Sequence, residues 1–251
     1  MHRRSSERGD GTPPPTAVIR RHTTSRVETL EDELERQVLD GRFKPGEHLG
    51  EIALAEEFEV GRNTLRAAFD GLVRRGLLVK SRNRGVFVRA LTGHDLAEIY
   101  ELRTALEVQA SRMLASRRRV PEAGRSALAQ HHRLGPRSSQ RVVVEADLAF
   151  HRALVVGTGN ARLMRAHKNL EIEILLCLAQ LVQGYASVSQ LAGEHGELLE
   201  AIESGDPATA EAVIRHHLEG ATTWLIEHAS ADEEPVYADA VVASSASSDL
   251  G

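Results

Sequence analysis

The sequence predicts a mainly α-helical chain: an N-terminal winged helix-turn-helix followed by a C-terminal antiparallel bundle of six helices. Three observations carry this prediction. Apolar residues recur at helical spacing along most of the chain from Val27 onward. Only one stretch, between Leu77 and Val88, reads as paired strands. The 251 residues are enough for two modest domains with separate cores. Domains are expected at 26–90 and 92–230. Residues 1–25 and 231–251 lack apolar periodicity and are rich in Ser, Pro, Ala or charge, so both are expected to be disordered tails.

Val27, Leu30, Leu34 and Val38 define a first helix, which Gly41 and the Pro45-Gly46 pair end in a turn. Residues 52–58 make a short second helix. After the turn at Val60-Gly61, Leu65, Phe69, Leu72 and Val73 mark a third helix that stops at Gly76. Leu77-Leu78-Val79 and Val86-Phe87-Val88 are short apolar runs flanking the polar segment Ser81-Arg82-Asn83-Arg84-Gly85, the pattern of a β-hairpin. Three helices and a hairpin in this order build a winged helix-turn-helix. Its third helix enters the DNA major groove and its wing reaches a neighbouring groove or phosphate.

The formal net charge of −5 speaks against a polyanionic partner, but its distribution speaks for one. From Arg26 to Glu59 there are four basic and eleven acidic residues. From Val60 to Ala90 Arg62, Arg66, Arg74, Arg75, Lys80, Arg82, Arg84 and Arg89 stand against Asp70 alone, a local +7. That is an electrostatic footprint for phosphate. Arg62 and Arg66 share one face of the third helix, with Asn63 and Thr64 near its N-terminus, so these four are candidates for base edges and phosphates. Lys80, Arg82, Arg84 and the wing glycine Gly85 are candidates for the flanking backbone.

These residues carry a resemblance. Pro45-Gly46-Glu47-His48-Leu49, Leu54-Ala55-Glu56-Glu57-Phe58-Glu59-Val60, Arg62-Asn63-Thr64-Leu65-Arg66 and Gly85 resemble the DNA-binding domain of the GntR family over Val27 to Arg89. Two departures from its pattern stand out. Gly61 replaces the usual Ser, a cap whose loss to Gly costs only a few tenths of a kcal/mol, and Arg66-Ala67-Ala68-Phe69 replaces R-E-A-L.

No apolar run approaches the ~20 residues of a membrane span, and the basic N-terminus lacks the apolar core of a secretory signal. A single cysteine, Cys177, excludes an intramolecular disulfide and a Cys-rich zinc site. Within the apolar stretch 172–181 it reads as a buried, inert thiol. The chain is expected to be cytoplasmic.

Beyond Thr92 no segment reads as a strand. Thr92-x-x-Asp95 resembles a capping box, and Gly205-Asp206-Pro207 supplies a C-terminal glycine, an N-cap and a first-turn proline in succession. Helices are expected at 94–117, 122–133, 141–156, 160–184, 188–204 and 207–229, joined by short loops into a bundle.

Polar residues interrupt the buried stripes of that bundle. Arg103 lies in the row Leu96, Ile99, Arg103, Leu106, Ala110, Met113. Asp147 and His151 lie between Val144 and Leu154, His195 between Leu191 and Leu198, and His217 between Val213 and Ala221. Buried charges are normally paired or metal-bound. Asp147 and His151, four apart, are neighbours on one helix face. One carboxylate and three imidazoles suit a divalent Zn, Ni, Fe or Mn ion with positions left open for a ligand. The bland alternatives are hydrogen-bonded core histidines and an Arg103–Asp147 salt bridge. His131, His132, His167, His216 and His228 show no such partners and read as ordinary core or surface residues. Arg103→Leu is expected to preserve the fold, because it removes a buried charge.

This half of the chain also resembles a family, the FCD effector domain of the FadR/VanR branch. The resemblance runs from about Leu96 to Glu227 on Tyr100-Glu101-Leu102-Arg103-Thr104-Ala105-Leu106-Glu107, Asp147-Leu148-Ala149-Phe150-His151, Gly159-Asn160, Glu194-His195 and His217-Leu218. It implies a divalent metal on Asp147, His151, His195 and His217, and a ligand cavity faced by Arg103, with Asn160 also expected on the ligand. The ligand implied is a small organic acid, whose carboxylate can join the metal and pair with Arg. The expectation is a ligand-responsive transcription regulator, a repressor, bound to double-stranded operator DNA as a homodimer so that two recognition helices meet two half-sites. One alternative is the same regulator with a metal-free acyl pocket. The other is a metal-dependent hydrolase, for which no catalytic motif such as HExxH is present, so no enzyme is expected.

Overall fold

A computed structural model describes residues 25–181 and 188–228. The two expected tails lie outside the described residues, apart from Ser25. That residue belongs to the fold, because its hydroxyl and the Glu28 carboxylate form a capping box at the start of α1 (Arg26–Leu39). A two-residue strand β1 (His48–Leu49), α2 (Glu51–Glu57) and α3 (Arg62–Arg75) follow. Gly61 caps α3 from extended backbone with no side-chain bond, and Gly76 closes it in the left-handed region at φ 83°.

The wing is a three-stranded antiparallel sheet in the order β1-β3-β2, with β2 at Leu78–Ser81 and β3 at Gly85–Val88. Two details correct the sequence reading. Leu77 is not in the first strand: its N–H closes α3 onto the Leu72 carbonyl and its side chain is buried. And β1 exists only by pairing His48 with Phe87 and Leu49 with Val86. Two residues have no periodicity of their own to read.

Six helices follow: α4 (Gly93–Ser116), α5 (Glu122–His131), α6 (Gln140–Gly157), α7 (Ala161–Leu181), α8 (Val188–Ser204) and α9 (Pro207–His228). Residues 182–184 and 229, expected to extend two of them, lie outside the described residues. The Thr92–Asp95 capping box opens α4. Gly205 turns at φ 83°, and the Asp206 carboxylate accepts the Ala208 N–H at 3.0 Å to start α9. Along the bundle α4 lies against α9, α6 and α7, and α5 against α6 and α8. Leu96, Val144, Phe150, Ile174, Leu198, Ile202 and Ile214 fill its core. The N-terminal half leans on α6 and α7 through α1. Asp40 Oδ1 accepts the Arg141 N–H at 3.3 Å, and Arg89 pairs with Glu173 at 3.0 Å. No helix among the described residues is long and apolar enough to cross a membrane.

Candidate metal centre and basic face

On α3, Arg62, Asn63 and Arg66 are exposed and Thr64 half-buried, because Leu65, Ala68, Phe69 and Leu72 turn the opposite face into the core. The wing turn exposes Arg82, Asn83 and Arg84, with Asn83 in the left-handed region at φ 63°. Gly85 has a different reason to be glycine. Its φ is 101°, and a Cβ there would come within 2.5 Å of His48 Nε2, so the residue permits β1 to close on the wing.

Part of the basic charge is paired, once with Asp70 of the same stretch and otherwise with acidic groups brought from elsewhere. Arg66 Nε lies 2.8 Å from Glu51 Oε2 and Lys80 Nζ 3.2 Å from Asp70 Oδ1; Arg75 pairs with Glu35, and Arg89 with Glu173. Arg62, Arg74 and Arg82 have no ion-pair partner among the described residues.

In the bundle, the four expected metal ligands come together. Asp147 and His151 sit one turn apart on α6, His195 on α8 and His217 on α9, all buried. One ligand atom from each lies within 4.8 Å of every other. The inward atoms are the imidazole Nε2 nitrogens: His217 Nε2 is 3.3 Å from His151 Nε2, and His195 Nε2 is 3.4 Å from Asp147 Oδ1. Two donors about 2.1 Å from a shared ion stand roughly 3.0–3.4 Å apart between octahedral and tetrahedral angles. These two separations fit that range, while His151 Nε2 stands 3.8 Å from Asp147 Oδ2, somewhat beyond it.

The outward nitrogens explain the orientation. His151 Nδ1 lies 2.5 Å from Glu107 Oε2, His217 Nδ1 2.8 Å from Glu194 Oε2, and His195 Nδ1 3.4 Å from His131 Nδ1. A ring whose Nδ1–H is given outward presents the Nε2 lone pair inward. The Phe150 ring stacks on His195 at 3.9 Å between centroids and 9° between planes, fixing its tilt. Asp147 Oδ2 and His195 Nε2 are buried without a hydrogen-bond partner among the described residues. Orphaned buried acceptors of this kind call for a partner, and the donor set is that of a divalent ion.

The electrostatics agree. Burial drives the pKa of His151 and of His195 down, leaving neutral rings competent to ligate. Burial would raise Asp147, but His151, His195 and Arg103 outweigh it and hold the carboxyl well below the usual range.

Arg103 stands at the edge of the centre, yet it is engaged. Its Nε donates to Glu107 Oε1 at 2.8 Å and its Nη1 to the Tyr100 hydroxyl at 3.0 Å. Its Nη2 approaches Asp147 Oδ2 only to 3.8 Å and has no hydrogen-bond partner among the described residues. Asn160 is not brought to the centre. It is exposed, and its Oδ1 accepts the Arg162 and Leu163 N–H groups at 3.1 and 3.2 Å, capping α7.

Three buried residues of this cluster escaped the sequence reading. Glu107 bridges Arg103 and His151; His131 backs His195; and His167 Nε2 lies 3.5 Å from Glu107 Oε1. The reading of His131 and His167 as residues without such partners is therefore corrected. A signal existed for His167, which continues the row Leu163, His167, Leu170, Ile174, and for Glu107, four residues after Arg103. A cavity of about 630 Å³ beside α8 and α9 has His217 and Glu194 in its wall, with Gln190, Glu197, Val213 and Trp224.

Comparison with known proteins matches residues 26–88 to the family described as "Bacterial regulatory proteins, gntR family" and residues 98–220 to the FCD domain. The chain is 30% identical over 204 residues to the probable D-xylose utilization operon transcriptional repressor of Paenarthrobacter nicotinovorans, covering 80% of this chain and 90% of that one. It is 28% identical to the HTH-type transcriptional repressor GlaR of Escherichia coli, covering 74% and 89%. Among solved structures, a putative transcriptional regulator GntR from Rhodococcus sp. RHA1 matches with a TM-score of 0.67 and 25% identity, over 82% of this chain and all of the other.

Proposed function

This chain belongs to the GntR family of bacterial regulatory proteins, with an FCD domain after its helix-turn-helix, and on that footing we propose that it is a metal-dependent repressor released or retained on its operator by a small organic acid. It is a DNA-binding transcription regulator, not an enzyme. In the proposed division of labour, residues 26–90 bind the operator as one half of a cytoplasmic homodimer and residues 92–230 bind the effector. Arg62, Asn63, Thr64 and Arg66 meet the major groove, and Arg82 and Arg84 the backbone beside it.

The observation that carries the reading is the convergence of three imidazole nitrogens and one carboxylate within 4.8 Å of one another, with each Nδ1 held outward. Asp147, His151, His195 and His217 would hold the ion. When bound, it supplies a Lewis-acid site for an effector carboxylate. The unpartnered Nη2 of Arg103 offers the same carboxylate a donor.

The test combines elemental analysis with DNA binding. Protein purified without chelator should carry about one divalent ion per chain. Its affinity for an operator selected from a random-sequence library should change when one member of a panel of small carboxylic acids is added, and chelation should abolish that response. Metal-free protein that still answers to an acid would favour the metal-free pocket and overturn the metal. Failure to select any sequence would overturn the operator reading.

A further inference from the structure

Glu107 is fully buried, and the polar partners of its carboxylate among the described residues are all nitrogens. Oε1 takes the Arg103 Nε–H at 2.8 Å and faces His167 Nε2 at 3.5 Å, while Oε2 lies 2.5 Å from His151 Nδ1. A buried carboxylate needs a compensating charge, and Arg103 supplies it. That pairing alone does not call for the second oxygen to be spent on an imidazole of another helix. His217 has a matching partner in Glu194, but the Glu194 side chain is 29% exposed and can exchange its bond with water, whereas Glu107 is 0% exposed and cannot.

We infer that Glu107 is a positioning residue of the metal centre, which fixes the His151 ring with its Nε2 lone pair aimed at the ion while Arg103 balances its charge. The inference rests on the reading that the centre holds a divalent ion. It assigns Arg103 a task besides meeting effector: a guanidinium bound to Glu107 ties the effector-facing edge of α4 to the ring orientation on α6. Because Glu107 lies behind His151, its loss acts on ion affinity and geometry chiefly through that ring, and secondarily through the Arg103 guanidinium it holds beside Asp147. Removing a carboxylate behind a ligating histidine typically weakens metal binding 10–100-fold.

The experiment uses full-length protein stripped of metal and then titrated with Zn²⁺ or Co²⁺ against a chromogenic chelator. The visible Co²⁺ spectrum reports ligand geometry, and circular dichroism reports folding. Arg103→Met combined with Glu107→Leu removes both buried charges together, so the variant should fold. Its Zn²⁺ affinity should fall 10–100-fold and its Co²⁺ bands should shift. Glu107→Gln, whose amide oxygen still accepts the Nδ1–H, should recover part of the affinity and most of the spectrum. Glu194→Gln should lose less than either. A folded double variant with wild-type affinity and spectrum would overturn the inference. If the double variant does not fold, unchanged Zn²⁺ affinity in Glu107→Gln overturns it instead. Wild-type protein that takes up neither ion would sink the metal reading, and the inference with it; wild-type binding with indifferent variants sinks the inference alone.

Discussion

Two arginines, each 2.8 Å from a glutamate through Nε, mark the difference between the two halves of this protein. Arg66, on α3, is 63% exposed in its side chain and bonds Glu51; Arg103, inside the bundle, is 1% exposed and bonds Glu107. The bond lengths are the same and the surroundings are opposite. In water the Arg66 pair gains little, because solvent competes for both groups and salt screens them. Inside the bundle neither partner can return to water, so each is committed to the other. Burial disfavours the Arg103 charge, but Glu107, Tyr100 and Asp147 outweigh that and raise its pKa above the ordinary arginine value. Burial likewise opposes the Glu107 charge, and Arg103, His151 and His167 overcome it, holding the carboxyl well below its usual range. An exposed charge is available to a partner such as phosphate, and a buried one organises its neighbours.

The largest test of that contrast is stability. Arg103→Leu on the metal-free protein should lower the unfolding free energy by about 3–5 kcal/mol, because it strands Glu107 in the core. This replaces the expectation that removing Arg103 preserves the fold, which took no account of Glu107 as its partner. Arg66→Ala should change stability by less than about 1 kcal/mol. Urea denaturation of both variants checks the difference, and equal losses would break the comparison.

Next in size is the metal, which should bear on the bundle alone. A hundredfold excess of Zn²⁺, Ni²⁺ or Mn²⁺ over its dissociation constant should stabilise the fold by about 2.7 kcal/mol, and chelation should reverse the gain in thermal melts. In His195→Ala, and again in His217→Ala, both effects should shrink. A chelator that lowers the melting point of wild type and of His217→Ala equally would show that the ion sits elsewhere.

The basic face should show its effect in DNA binding instead. Arg66→Ala should weaken specific operator binding by about 1–3 kcal/mol if it reads a base edge, with circular dichroism unchanged. An Arg62/Arg66 double variant that is folded and binds as wild type would remove α3 from the interface. The smallest expected effect comes from Glu51, which holds Arg66 in the free protein. Glu51→Gln should release that guanidinium and raise operator affinity a few-fold, mainly through the association rate at low salt. Surface plasmon resonance at two ionic strengths separates rate from residence.

Much of this architecture was legible because its signals are local. A buried stripe repeats every three or four residues, so Asp147, His151, His195 and His217 stand out before their spatial neighbours are known: each interrupts an apolar row on its own helix. Caps are equally local, and Thr92-x-x-Asp95 and Gly205-Asp206-Pro207 stand where α4 and α9 begin. The family resemblance of Arg62 to Arg66 and of Arg103 to Glu107 rests on the same short spacings.

What needed the tertiary structure is pairing between segments far apart in the chain. Glu107 meets His151 across 44 positions and His131 meets His195 across 64, and no periodicity within one helix encodes either contact. The outward Nδ1 bonds that orient the histidine rings, the Glu51 carboxylate that occupies Arg66 and the strand β1 that exists only against β3 are of the same kind. Helical amphipathicity tells which side chains turn inward, since that depends on one element's own repeat. Which inward side chain meets which depends on how the helices are set against one another, and that is decided only when their stripes pack together.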